Sequence, residues 1–151
     1  MTNFCPECGA RLEVGSTCQS IFDSFLALEF SDPAYGEVHF VTVACFMIQH
    51  GRYSDAALAW IQPKLHAYLD DGLPVSELRR QAAGETNSAD RDWKVLRSAQ
   101  EKPLPKVAWQ VTITDVAAHA ANAADYCAWV RRWGVSTLQQ MDALKGSFEN
   151  P

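Results

Sequence analysis

The chain has 151 residues, 48% hydrophobic and 21% charged, with 13 Lys and Arg against 18 Asp and Glu for a formal charge of −5. That is the balance of a folded protein rather than a disordered one, and the length suits one domain with a sizeable core better than two. The acidic charge speaks against a nucleic-acid surface, which needs clustered cations, and Arg79-Arg80 and Arg131-Arg132 are only short basic pairs. No apolar run approaches the roughly 20 residues that span a bilayer, so no membrane role is expected.

The first five residues, Met-Thr-Asn-Phe-Cys, carry no basic segment followed by an apolar one, so a signal peptide is not expected. The five cysteines are odd in number, and Cys5 and Cys8 form a Cys-x-x-Cys. In such a chain the pattern reads as metal binding in a reducing compartment, not as a disulfide framework, and the expected location is the cytoplasm.

Residues 1–15 form a short Gly-punctuated segment. Ser16 and Gln19 suggest a capping box that opens a helix through Ile21, Phe22, Phe25, Leu26 and Leu28. The turn residues of 31–36 end it near Phe30. Residues 37–49 are nearly all apolar and fit either a helix or a buried strand; thirteen residues favour the helix, with Gly51 as its stop. Ser54 and Asp55 open a third helix toward Gly72, which Pro63 should kink or split. A fourth helix fits Val75–Ala83, and 84–92 reads as a surface loop. Residues 103–114 look extended, so a short strand or two is expected near 95–114. Helix returns over about 115–145, with Tyr126, Trp129, Val130, Trp133, Leu138, Met141 and Leu144 on its apolar side. The expected architecture is mostly α: a single domain over 1–151, with a zinc-knuckle segment (1–18) packed on an antiparallel helical bundle. The rest divides into a helical stretch (19–83), a loop (84–92), and an extended segment with C-terminal helices (93–151).

Cys5-Pro6-Glu7-Cys8-Gly9 has the form of a zinc knuckle. A zinc ion needs thiolates about 2.3 Å away in tetrahedral directions, and a two-residue spacer lets one tight turn aim both sulfurs inward. Gly9 permits the positive φ that follows such a turn. Cys18 then stands at the expected helix start, where the dipole favours a thiolate. The fourth ligand is not in the motif; His39, Cys45, His50 and a water are candidates. If 18–30 and 37–50 form an antiparallel hairpin, the start of the first helix lies beside the end of the second. His50 is then level with Cys18, while His39 sits roughly 16 Å lower and Cys45 points about 140° away around the helix. His50 is therefore preferred. If 38–45 were a strand, His39 and Cys45 would share a face and that preference would weaken.

The string Leu26-Ala27-Leu28-Glu29-Phe30-Ser31-Asp32-Pro33-Ala34-Tyr35-Gly36, followed by Val38-His39, Thr42-Val43-Ala44-Cys45 and Gln49-His50, resembles an uncharacterised bacterial family. In that family a Cys-Pro-x-Cys-Gly and a third Cys precede the same string. The resemblance is specific over 5–50 and looser over Trp129–Trp133. It implies that Cys5, Cys8, Cys18, Glu29, Asp32, His39 and His50 form a unit, and it supplies no activity.

Glu29, Asp32 and His39 should gather at the far end of the hairpin. A carboxylate beside an imidazole can act as general acid and base or begin a catalytic metal site. The plainer use is a Glu29–His39 hydrogen bond that closes the hairpin, with Asp32 as a helix cap. Trp129 and Trp133, one turn apart, suit core or partner contact better than a ligand cage. Cys127 reads as a small buried hydrophobe, and His66 and His119 have no assignable partner. Two functions follow: a structural-zinc module that binds another protein, or a small metal-dependent hydrolase using Glu29, Asp32 and His39 or an open zinc position.

Overall fold

The computed structural model describes residues 2–87, 89 and 91–149, and it is mostly helical. At the N-terminus β1 (Thr2–Phe4) and β2 (Arg11–Glu13) pair antiparallel, Asn3 opposite Leu12, with the Cys5–Cys8 turn between them. Helix α1 (Cys18–Ser31) starts one residue later than the expected Ser16–Gln19 box. Thr17 accepts from the Ser20 amide at 3.0 Å, and the Ser20 hydroxyl accepts from the Thr17 amide at 3.1 Å. Cys18 becomes the first helical residue.

The reversal after α1 is a single helical turn, α2 (Pro33–Gly36), capped by the Asp32 carboxylate on the Ala34 amide at 3.0 Å. Residues 37–50 are a helix and not a strand: α3 (His39–Gln49) ends at Gly51, whose φ of +64° suits glycine. Helices α1 and α3 run antiparallel. Phe22 stacks on Phe46 with ring centroids 4.0 Å apart, and further down the pair Glu29 meets His39 and Thr42. The start of α1 therefore stands beside the end of α3.

Helix α4 (Asp55–Leu69) opens on Ser54, whose hydroxyl accepts from the Ala57 amide at 3.0 Å, and Pro63 does not split it. Tertiary packing on both sides of the proline outweighs one missing amide donor. Helix α5 (Val75–Glu85) runs past the expected end at Ala83 through Gly84; of the expected loop 84–92, Ser88 and Asp90 lie outside the described residues.

The expected strand near 95–114 is not there. Among the described residues the backbone forms one isolated bridge, Tyr53 to Leu96, and no ladder. Pro103 and Pro105 lack amide donors, and the only sheet among the described residues is the N-terminal hairpin at the knuckle.

Two helices complete the chain. Thr112 and Asp115 form the box that opens α6 (Ile113–Ala118), and the Asn122 side chain accepts from the Asp125 amide at 2.9 Å to start α7 (Ala123–Glu149). Helix α7 packs against α2, α3, α4 and α6, burying Tyr126, Val130, Trp133 and Leu138. Trp133 is thus core, whereas Trp129 stacks on His119 at 3.9 Å, and Cys127 is buried against the Ala34 carbonyl. His66 reaches Asp70 at 2.6 Å and Asp142 at 3.0 Å, tying α4 to α7. Among the described residues no helix is long and apolar enough to cross a membrane.

Gly134 marks the closest helix crossing. A Cβ there would lie 2.7 Å from Val41 Cγ1 and 2.8 Å from Leu69 Cδ1. Alanine normally favours a helix over glycine by up to about 1 kcal/mol. Here the β-branched Val41 is fully buried and has no room to yield. Gly134→Ala is expected to cost about 1–2 kcal/mol net, overpacking outweighing propensity, as read by urea denaturation. An unchanged or raised midpoint would show that the crossing relaxes freely.

Candidate metal centre

The knuckle is a tight loop held by its own backbone. The Cys5 amide donates to the Ala10 carbonyl at 2.8 Å, and the Gly9 amide returns to the Cys5 carbonyl at 2.9 Å. Gly9 has φ +80°, which the turn requires. The Ala10 amide points at Cys8 Sγ from 3.4 Å. Cys18, at the first position of α1, brings its sulfur to 3.6 Å from that of Cys8. This is close to the ~3.8 Å edge of a tetrahedron with 2.3 Å metal–sulfur bonds.

His50 closes the group from the end of α3. Its Nδ1 donates to the Phe46 carbonyl at 2.7 Å, and its ring lies 4.3 Å from that of Phe46. Such a bond fixes the tautomer and leaves Nε2 as the ligand atom. That Nε2 is buried with no hydrogen-bond partner. The ligand atoms of Cys5, Cys8, Cys18 and His50 all lie within 4.8 Å of one another, and all four residues are buried. Three soft sulfurs and one buried imidazole nitrogen without a hydrogen-bond partner are a donor set that fits a metal ion.

The electrostatics agree. The hydrogen bond with Cys18 holds the Cys8 thiol well below the usual thiol range, against burial, and pushes Cys18 up. Burial would lower the His50 imidazole, but the nearby Cys8 sulfur and the bond to the Phe46 carbonyl raise it to about 9. A metal ion must therefore displace protons to bind.

His39 and Cys45 stand apart from this group. Cys45 is fully buried beside Thr137, its thiol pushed up to about 12 by burial. His39 Nδ1 is bound to Glu29 Oε1 at 2.8 Å. Asp32 is committed to its cap and does not join Glu29 and His39. Glu29 instead has a fully buried side chain whose Oε2 accepts from the Thr42 hydroxyl at 2.6 Å and the Tyr126 phenol at 2.5 Å. Burial, with the Glu29 carboxylate second, keeps the Tyr126 phenol protonated far up its range. The pair expected at this end of the hairpin is thus a four-residue network joining α1, α3 and α7.

A model described as a family of unknown function (DUF5946) matches residues 3–142. The chain belongs to that family. The match takes in both the cysteine–histidine group and the Glu29 network, well beyond the 5–50 stretch in which the resemblance is plainest. No curated protein and no solved structure matches the chain.

Thr42 and Tyr126 are the residues that sequence reasoning missed. Thr42 lies three residues after His39 on one face of α3, a spacing that could have flagged it. Tyr126 is 97 residues from Glu29, and nothing local points to the contact.

Proposed function

We propose that this is a zinc-stabilised helical protein of the cytoplasm whose Cys5, Cys8, Cys18 and His50 hold the ion, and that it works by binding another protein. The observation that supports it is the buried, four-membered donor group. Thiolate and imidazole donors suit zinc, and a closed set of four protein ligands is the mark of a structural site rather than a catalytic one. Such an ion would join three pieces of the chain: the short hairpin, the start of α1 and the end of α3.

The protein-partner half rests on the surface. Phe4 and Val14 beside the hairpin and Phe30 at the end of α1 stand 68%, 69% and 77% exposed. With a charge of −5, such side chains suit a protein surface better than a polyanion. The hydrolase reading draws less support, because both oxygens of Glu29 are already taken by donors and Asp32 is a cap.

Protein purified without added metal should carry one zinc per chain by elemental analysis, and a chelator should loosen the N-terminal region. Absent metal, or Cys5, Cys8 and Cys18 all reacting freely with a thiol reagent, would sink the zinc reading. A tagged chain should also retain a protein that Phe30→Ser releases; retention unaffected by substitutions at Phe4, Val14 and Phe30 would count against that surface.

A further inference from the structure

A hollow lies away from the cysteine group, between α3, α4, α5 and the residues Thr86, Arg91, Trp93 and Val95. Its volume is about 260 Å³, and its walls include Phe40, Val43, Tyr53, Trp60, Trp93 and Arg91. Protein interiors seldom leave a gap larger than a water molecule. This one is bounded by rigid rings: Phe40 meets Trp60 edge-on at 6.2 Å, and the Arg91 guanidinium lies 5.3 Å from the centre of the Trp93 ring. It falls just below the roughly 300–1,000 Å³ of common ligand pockets, room for a small aromatic molecule of one or two rings and not for a nucleotide.

Arg52, Arg80, Arg97 and Arg131 each pair with a carboxylate, whereas among the described residues Arg91 has no such partner. Of the polar side chains in its walls, the Thr86 hydroxyl is bound to the Ala82 carbonyl and His39 Nδ1 to Glu29. A lining that is mostly apolar and aromatic and carries one guanidinium with no carboxylate partner among the described residues is complementary to a flat apolar body bearing one negative charge. A single guanidinium can meet a carboxylate in bidentate fashion, while a phosphate dianion needs more donors than these walls provide.

We propose that this hollow is a binding site for a small aromatic carboxylic acid, its ring among Phe40, Trp60 and Trp93 and its carboxylate on Arg91. The site is independent of the zinc reading, since none of its residues belongs to the cysteine–histidine group.

The test is calorimetric titration of the full chain with phenylacetate and indole-3-acetate, with tryptophan fluorescence as a second readout and phenylacetamide and inorganic phosphate as controls. At least one acid should bind saturably at sub-millimolar concentration, the amide about tenfold or more weaker, and Arg91→Gln should reduce acid binding by a similar factor. Denaturation midpoint and metal content confirm that the variant is folded, and Arg91→Lys should recover part of the binding. Four results overturn the proposal: no saturable binding of either acid at millimolar concentration, equal binding of acid and amide, binding indifferent to Arg91→Gln, or phosphate outcompeting the acids.

Discussion

His50→Ala is expected to lose the metal, while His39→Ala keeps it. The two imidazoles lie eleven residues apart on α3, close to three helical turns, so they project from nearly the same face. Height along the α1–α3 pair separates them. Phe22 against Phe46 sets the register, and from there the end of α3 meets Cys18 while its start meets Glu29. His50 Nε2 is buried and unpaired among three sulfurs; His39 is held by a carboxylate at the other end. Removing a direct ligand should weaken metal binding by more than the 10–100-fold typical of outer-shell partners. The hairpin should loosen with it, because two three-residue strands are marginal without a further tie. Binding should also weaken as pH falls. Protons on His50, raised to about 9, and on the thiols compete with the metal, so affinity rises with pH as they leave. Metal per chain, measured by elemental analysis after dialysis, decides the matter. Metal retained in His50→Ala and lost in His39→Ala would end this assignment.

Glu29→Ala is expected to cost about 2–4 kcal/mol without loss of metal. Its carboxylate is the common acceptor for three helices, and the donors it leaves behind differ in what they can do next. His39 is partly exposed and can turn to water, and Thr42 also donates to the Val38 carbonyl at 3.2 Å. Tyr126 is fully buried, with Glu29 as the acceptor of its phenol, so most of the penalty falls there. Glu29→Gln preserves shape but turns an amide toward donors and should cost about 1–3 kcal/mol. Asp32→Asn should cost little, since asparagine caps as well as aspartate. Tyr126→Phe should relieve part of the Glu29→Gln defect when the two are combined, a coupling that a double-mutant cycle in urea reads directly. Metal loss in the Glu29 or Asp32 variants would show that these carboxylates serve the metal centre after all.

The sequence by itself determined the features that depend on a few neighbouring residues. Cys5 and Cys8 are separated by two residues and followed by glycine; the helices α1 and α4 show in their apolar spacing and turn residues, and α3 in the length of its apolar run. That His50 rather than His39 stands beside the three cysteines was also legible, because one assumption, an antiparallel hairpin of two helices, converts residue count into height. Even so, the α1 cap lies one residue from where the sequence suggested it, since Thr17 and Ser20 make as good a box as Ser16 and Gln19. Only the tertiary structure decided that Asp32 turns to its own helix while Tyr126 reaches Glu29 across 97 residues. It also decided that the extended stretch near 95–114 finds no strand to pair with, and that Arg91 and the rings of α3 and α4 enclose a hollow. Caps, turns and periodicity are local energies written into adjacent side chains. Which distant side chains meet depends on how helices cross, and at crossings such as Gly134 on Val41 and Leu69 that is set by the joint packing of several helices, which no single segment encodes.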